Sequence, residues 1–213
     1  MKIVSKAAAV TMAIGASLAL AASTFAAGPW SLFGGATNEK LGQSPNPWAV
    51  QLVSDTNTLG DSNDYSGVDF VMPGPDITFN ELEVLATDYN LTDDGAGGGS
   101  PRFQLNMDTD GDGVSDGNVF VYIGTPPAFA DAPAGWQSSG NLVESTDLRY
   151  DSTQFGGPFY GTHDGTAALV GDDDIVGIQL VVDSGWFFGD QEQTVLVDNV
   201  IVNNHKLTAK SAK

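Results

Sequence analysis

Four aspartates spaced along one short segment are the residues of this chain with the clearest chemistry. Residues 107–119 read MDTDGDGVSDGNV. Carboxylates at alternate positions around a tight turn converge on one point, where a bound cation relieves their repulsion. A glycine at 113 permits the sharp turn, and the residue after it can add its backbone carbonyl oxygen. The spacing therefore predicts a calcium site formed by Asp108, Asp110, Asp112, Val114 and Asp116.

This segment resembles the calcium loops of EF-hands, dockerins and especially thrombospondin type 3 repeats. With Asp108 at position 1, the remaining ligands fall at positions 3, 5, 7 and 9. An EF-hand has a bidentate glutamate at position 12, where this chain has Val119, and the flanking residues read as strands rather than helices. The resemblance implies a structural calcium site of extracellular affinity, on the order of 10⁻⁴–10⁻³ M, completed by other residues or water. An acidic hairpin without metal is the alternative.

A further candidate metal ligand, Asp198, lies within the apolar run VLVDNVIV. A charge in such a run is costly unless it is paired or bound to a metal. The run resembles the last strand of carbohydrate-binding jelly rolls, and this resemblance implies that Asp198 helps to hold a structural calcium. More broadly, the chain from Gly98 through Trp186 to Val200 resembles secreted bacterial β-sandwich domains. An aspartate on the solvent face of a strand is the alternative for Asp198.

Aromatic residues beside turns are the candidates for ligand binding. Trp136 lies in PAGWQSSG, Trp186 in DSGWFFGD and Tyr160 in GGPFYG. An aromatic face can stack on a sugar ring while polar neighbours fix its orientation, so these residues predict a carbohydrate site. The alternative is that the rings cap the ends of the fold as part of its core.

Catalytic residues are not predicted. His163 and Asp164 are adjacent, but a catalytic triad also needs a positioned serine, and the GxSxG motif does not occur in the sequence. We therefore expect a binding module rather than an enzyme. A hydrolase with an unrecognised site is the remaining alternative.

Short strands must position all of these residues. After residue 27, β-branched and aromatic runs are separated by Gly, Pro, Asn and Asp, a pattern typical of an all-β, two-sheet β-sandwich with a jelly-roll-like arrangement. The predicted strands are Ala49–Val53, Gly67–Met72, Ile77–Ala86, Arg102–Met107, Asn118–Gly124, Asn141–Arg149, Thr166–Val170, Ile175–Val182 and Thr194–Val202. In the eighth of these strands, alternation places Val176, Ile178, Leu180 and Val182 on one face.

The domain predicted for residues 48–203 follows two segments of different character and is followed by a short tail. Residues 1–26 combine Lys2 and Lys6, an alanine-rich apolar stretch and small residues, which predicts a cleaved signal peptide. Residues 27–47 are expected to be a loose lead-in, and residues 204–213 a flexible basic tail. We therefore expect a protein that is secreted or held at the cell surface, with the periplasm as an alternative, and no membrane insertion after cleavage.

Charge limits the classes of partner. Asp and Glu number 27 against 8 Lys and Arg, for a net charge of −19, a balance that argues against nucleic acids and anionic membranes as partners. The chain has no cysteine and therefore no disulfide or thiolate metal site. The expected partner is a polysaccharide or another cell-surface component. Self-association through sheet edges, as in a matrix, adhesin or fibre subunit, is the alternative.

Overall fold

Alternation of apolar and polar residues builds two antiparallel sheets that pack face to face. The computed structural model describes residues 29–57 and 64–207. The predicted signal peptide lies outside these residues. Within the described ranges, the all-β two-sheet sandwich predicted from the sequence is confirmed.

The strands form two sheets of different extent. They are β1 (Trp30–Gly34), β2 (Thr37–Glu39), β3 (Ala49–Asp55), β4 (Ser66–Phe70), β5 (Ile77–Thr78), β6 (Leu85–Asp93), β7 (Arg102–Asp108), β8 (Gly117–Tyr122), β9 (Gln137–Ser138), β10 (Tyr150–Asp151), β11 (Asp174–Val182), β12 (Glu192–Val202) and β13 (His205–Lys206). The first sheet has the order β1-β4-β11-β7-β8-β10, and β5 also pairs with β11. The second has the order β2-β3-β12-β6-β9, and β13 also pairs with β12.

The core lies between the two sheets and takes one face of each long strand. In β7, Phe103, Leu105 and Met107 are buried, whereas Gln104 and Asn106 between them point away from the second sheet. This period of two is that of a half-buried strand. The same strand runs from Arg102 to Asp108, so its two ends lie roughly 20 Å apart.

A bulge in β11 changes the face of one predicted core residue. Ile178, Leu180 and Val182 lie in the core, as the alternation predicts. The pairing of β11 with β7 shifts between Ile175 and Gly177, and this shift buries Ile175 and leaves Val176 only half-buried. An extra residue in one strand reverses the alternation beyond it, which sequence periodicity does not reveal.

The segment predicted as a strand at 166–170 is instead helical. Helix α1 (His163–Val170) begins after Thr162, whose hydroxyl accepts a hydrogen bond from the Gly165 N–H at 3.0 Å. This N-cap outweighs the β-branched composition of a short apolar run. The His163 ring packs against Phe79, with the ring centroids 5.0 Å apart. This contact gives His163 a role in the packing of the fold.

Two other predicted strands are also revised. The run at 77–86 is divided between β5, a 3₁₀ turn at Phe79–Glu81 and β6. The run at 141–149 forms turns rather than a strand, because its polar groups make hydrogen bonds outside a strand ladder. The Arg149 guanidinium donates a hydrogen bond to the Tyr122 carbonyl at 2.5 Å and stacks on Phe129. The loss of ladder hydrogen bonds in this segment is compensated by these side-chain contacts.

The lead-in and the tail both contribute strands. Residues 27–47 include β1 and β2, and Trp30 of β1 is buried with its ring centroid 4.6 Å from that of Phe70. The tail begins with β13 and the buried Leu207. The buried side chains of Trp30 and Leu207 hold in place parts of two segments that were predicted from composition to be loose. No helix among the described residues is long and apolar enough to cross a membrane.

Leu105→Ala should lower the free energy of unfolding by about 2–5 kcal/mol, because the side chain is fully buried on a central strand and its loss leaves a cavity. Urea unfolding followed by circular dichroism measures this change. Gln104→Ala, at the adjacent outward position, is the matched control and should lower the free energy by no more than about 1 kcal/mol, because it loses only long side-chain hydrogen bonds. Equal effects of the two substitutions would contradict the assigned faces.

Candidate metal loop and aromatic clefts

The aspartate-rich segment is the connection between β7 and β8. Asp108 is the last residue of β7 and is buried, whereas Asp110, Asp112 and Asp116 are exposed. The Asp116 N–H donates to the Met107 carbonyl at 2.8 Å and closes the loop at its base. The loop therefore belongs to a β-hairpin and not to a helix–loop–helix unit.

Backbone amides orient the Asp108 carboxylate toward the inside of the loop. It accepts hydrogen bonds from the N–H groups of Gly113 at 2.6 Å, Gly111 at 2.8 Å and Asp110 at 3.2 Å. The Gly113 amide has the largest effect and lowers the pKa of Asp108. These bonds hold the carboxylate in its charged form at neutral pH.

The other acids of the loop differ in their electrostatics. Thr109 donates its hydroxyl and its N–H to Asp116 Oδ2, at 2.6 and 2.8 Å, and lowers the pKa of Asp116. The negative charge of Asp112 raises the pKa of Asp110. A cation placed among these groups would remove that repulsion.

Three of the predicted ligands come together. Carboxylate oxygens of Asp108, Asp110 and Asp116 all lie within 4.8 Å of one another, a spacing that could hold a hard cation. Asp112 is not in this group, and its carboxylate accepts the Val114 N–H at 2.8 Å. Asp173 lies close enough to the loop for Asp108 to affect it: its pKa is raised by burial and by the charges of Asp172, Asp108 and other acids.

Asp198 lies in a different part of the molecule. It is buried on β12 of the second sheet, whereas the loop extends from the first sheet. Its Oδ1 accepts hydrogen bonds from the Asn199 N–H at 2.8 Å and from Asn46 Nδ2 at 3.4 Å. Burial raises its pKa, and the nearby Asp88 adds to this effect. The structure therefore does not join Asp198 to the four loop aspartates.

Two adjacent clefts lie near the opposite end of β7. The first, which we call the Trp186 cleft, has a volume of about 300 Å³. The second, the Tyr160 cleft, has a volume of about 310 Å³. The two clefts share four of their lining residues: Gly98, Gly99, Tyr122 and Phe159. Two of the three aromatic residues predicted to bind ligand, Trp186 and Tyr160, therefore line adjacent clefts.

A short 3₁₀ turn, Gly185–Phe187, supplies one aromatic residue to each cleft. Trp186 lines the first and Phe187 the second, and their side chains are 62% and 55% exposed. The turn packs closely on the glycine segment before β7, because a Cβ on Gly97 would lie 2.6 Å from the Phe187 ring. Gly98 and Gly99 of this segment line both clefts.

Polar groups stand beside the rings of the Trp186 cleft. Arg102 donates two hydrogen bonds to the Asp183 carboxylate, at 2.6 and 2.7 Å. The Tyr122 hydroxyl donates to Asp151 Oδ2 at 3.1 Å, and Thr153 donates to Asp151 Oδ1. The cleft thus combines exposed apolar faces with oriented polar groups, the composition of a small-molecule site.

Trp136 does not line either cleft. It is half-buried just before β9, an edge strand of the second sheet. The sequence did not identify Phe159, Phe187, Arg102 and Asp183 as one site, because they are brought together only by the packing of distant segments. The clustering of aromatic residues at 159–160 and 186–188 was the available signal.

Comparisons with known proteins give little further information. No protein-family model and no curated protein matches the chain. Among solved structures, the chain is similar to an exo-beta-agarase, with a TM-score of 0.33 and 17% sequence identity. The match covers 85% of this chain and 24% of that chain. At these values the likeness carries no argument about function.

Asp198→Asn should raise the melting temperature at pH 7. Burial raises the folded-state pKa of Asp198 above its unfolded value, so its charged form costs stability at neutral pH, and this cost disappears as the pH falls below the unfolded value of about 3.9. The Asn199 N–H can still donate to the amide oxygen of the variant. Thermal melts at pH 7 and pH 3.5 measure the difference, which should shrink in acid. A large loss of stability in the variant that occurs only with calcium present would instead make Asp198 a ligand.

Proposed function

We propose that this protein is a calcium-stabilised, non-catalytic β-sandwich that binds carbohydrate outside the cell. The observation that carries the proposal is the pair of adjacent clefts with exposed aromatic rings. Trp186, Phe187 and Phe159 are each at least half-exposed, and Tyr160 is 45% exposed. The predicted signal peptide supports an extracellular location.

The exposure of several aromatic rings in the two clefts is unusual for a folded protein and indicates a binding surface. Large apolar side chains tend to be buried, and a contiguous exposed group of them marks a binding surface. The flat face of a ring contacts the C–H groups of a sugar, while nearby charged and hydroxyl groups bond to its hydroxyls. The Trp186 cleft offers both kinds of contact within one concave site.

The acids of the Trp186 cleft support binding rather than hydrolysis. A glycosidase needs two carboxyl groups free to act, one as an acid and the other as a base or nucleophile. Here Asp183 is engaged by the Arg102 guanidinium, and Asp151 accepts bonds at both of its oxygens. These contacts fix the position of both carboxylates, which suits a role in orienting a ligand.

Calcium has a structural role in this proposal. The β7–β8 loop places three carboxylates around one point and fixes two of them by hydrogen bonds. It lacks the position-12 glutamate and the flanking helices of calcium sensors. Binding there would stabilise the hairpin, and a weak site would be filled in calcium-rich extracellular fluid.

Addition of 10 mM CaCl₂ should raise the melting temperature by roughly 3–10 °C. A dissociation constant on the order of 10⁻⁴–10⁻³ M gives a stabilisation of about 1.4–2.7 kcal/mol at this concentration. Differential scanning fluorimetry with and without EDTA measures the shift. Asp110→Ala should abolish it, whereas Asp76→Ala, an exposed aspartate outside the loop, should retain it. A calcium shift that survives in Asp110→Ala would contradict the site.

Trp186→Ala and Tyr160→Ala should each weaken carbohydrate binding by about tenfold or more, because a central aromatic contact contributes a large share of binding energy. Affinity electrophoresis in gels containing neutral polysaccharides measures this effect. Trp136→Ala is the matched control, since this tryptophan lies outside both clefts, and its retardation should equal that of the wild type. The proposed site is refuted if none of the polysaccharides retards the wild-type protein. It is also refuted if Trp136→Ala loses as much binding as Trp186→Ala and Tyr160→Ala do.

A further inference from the structure

A row of polar side chains crosses the outer face of the first sheet. Asp69 of β4, Gln179 of β11 and Gln104 of β7 are direct partners in the strand register. Neighbouring members are therefore about 4.8 Å apart along the row. All three are half-buried, and they point away from the core. We call this set, together with Asn106 beside it on β7, the amide row.

Hydrogen bonds connect the side chains of the amide row, and one of them is short. Gln179 Nε2 donates to Asp69 Oδ1 at 2.6 Å, and Gln104 Nε2 donates to Gln179 Oε1 at 3.4 Å and to Asn106 Oδ1 at 3.5 Å. Within the described ranges, the hydrogen bonds of these two residues leave Gln104 Oε1 and Asn106 Nδ2 without a partner in the protein. The row thus presents a free acceptor and a free donor next to each other.

Aromatic rings border the amide row on two sides. Phe33 and Tyr65 lie toward β1, with their ring centroids 6.1 Å apart, and the Phe33 ring covers Gly67 so closely that a Cβ there would collide with it. On the other side, the Arg102 guanidinium lies 4.8 Å from the centroid of the Phe120 ring. Phe33, Tyr65 and the amide row line a groove of about 500 Å³, the outer-face groove.

The outer-face groove adjoins the Trp186 cleft at one residue. Asp183 lines both of them, and the Arg102 guanidinium holds it in place. A ligand that follows this path would meet the rings of Phe33 and Tyr65, then the amide row, and then Trp186. Such a sequence of alternating apolar and hydrogen-bonding contacts fits an elongated molecule better than a single sugar.

Charge selects the chemical class of that molecule. The acids of the path are Asp69, Asp151 and Asp183, and its cation, Arg102, is already paired. A uronate or sulfate group would be repelled there. Hydroxyl groups both donate and accept hydrogen bonds, as the free atoms of the amide row require. We infer that the outer-face groove binds a segment of a neutral polysaccharide chain whose neighbouring units occupy the Trp186 cleft, an inference that rests on the proposed carbohydrate-binding function.

The test compares variants of the amide row with those of the aromatic cleft in the full-length protein. Gels containing hydroxyethyl cellulose, galactomannan, xylan or agarose, and gels containing alginate or polygalacturonate, provide neutral and acidic probes. On the neutral polysaccharide that retards the wild type most, Gln104→Ala and Gln179→Ala should each weaken binding about three- to tenfold, as expected for lost hydrogen bonds. Gln51→Ala, on the outer face of the second sheet, is the matched control and should bind as the wild type does.

Ligand length separates the two parts of the path. Calorimetry with a disaccharide and a hexasaccharide of the same polysaccharide should show that Gln104→Ala weakens only hexasaccharide binding, whereas Trp186→Ala weakens both. Unchanged melting temperatures in the Gln104 variant exclude misfolding as the cause.

Three results would overturn the inference. Wild-type affinity of both row variants, with binding lost in Trp186→Ala, would refute the outer-face groove and leave the proposed function standing. Equal or stronger retardation by alginate or polygalacturonate would refute the neutral class of ligand. If no polysaccharide retards the wild type, the proposed function and the inference both fail.

Discussion

Burial of one face of β7 between the two sheets determines where the chemistry of this molecule lies. Phe103, Leu105 and Met107 must point inward to close the core, so Gln104 and Asn106 must point outward. The strand is central in its sheet and is paired on both sides, so it cannot slip by one residue without exposing three apolar side chains. Its first residue therefore always meets the aromatic clefts, and its last always begins the aspartate loop.

The features that sequence analysis predicted are those set by local pattern. Alternation identified the long strands, and the spacing of aspartates identified a compact acidic loop, since both depend on residues only two to eight positions apart. The aromatic clefts and the amide row depend on strand order. Asp69, Gln104 and Gln179 are far apart in the chain and become neighbours only through the pairing of β4, β11 and β7.

The errors have equally local causes. The run at 166–170 has the composition of a strand, but the Thr162 cap begins a helix ahead of it. A bulge before Gly177 changed the face of Val176. The segment GAGGG has the composition of a flexible connection, but the missing side chain of Gly97 lets the Phe187 ring approach. In each case one residue overrides the average tendency of its neighbours.

The two arginines of the chain, Arg102 and Arg149, are both committed to internal ion pairs and ring contacts. Within the described parts of the chain, the outward cations are therefore the lysines at 40 and 206, set against an exterior dominated by carboxylates. Copies of a protein with this charge repel one another. The repulsion acts over a Debye length of about 30 Å at an ionic strength of about 0.01 M and about 8 Å at about 0.15 M. The distance at which copies of this protein can approach one another would thus be governed by the salinity of the surrounding fluid.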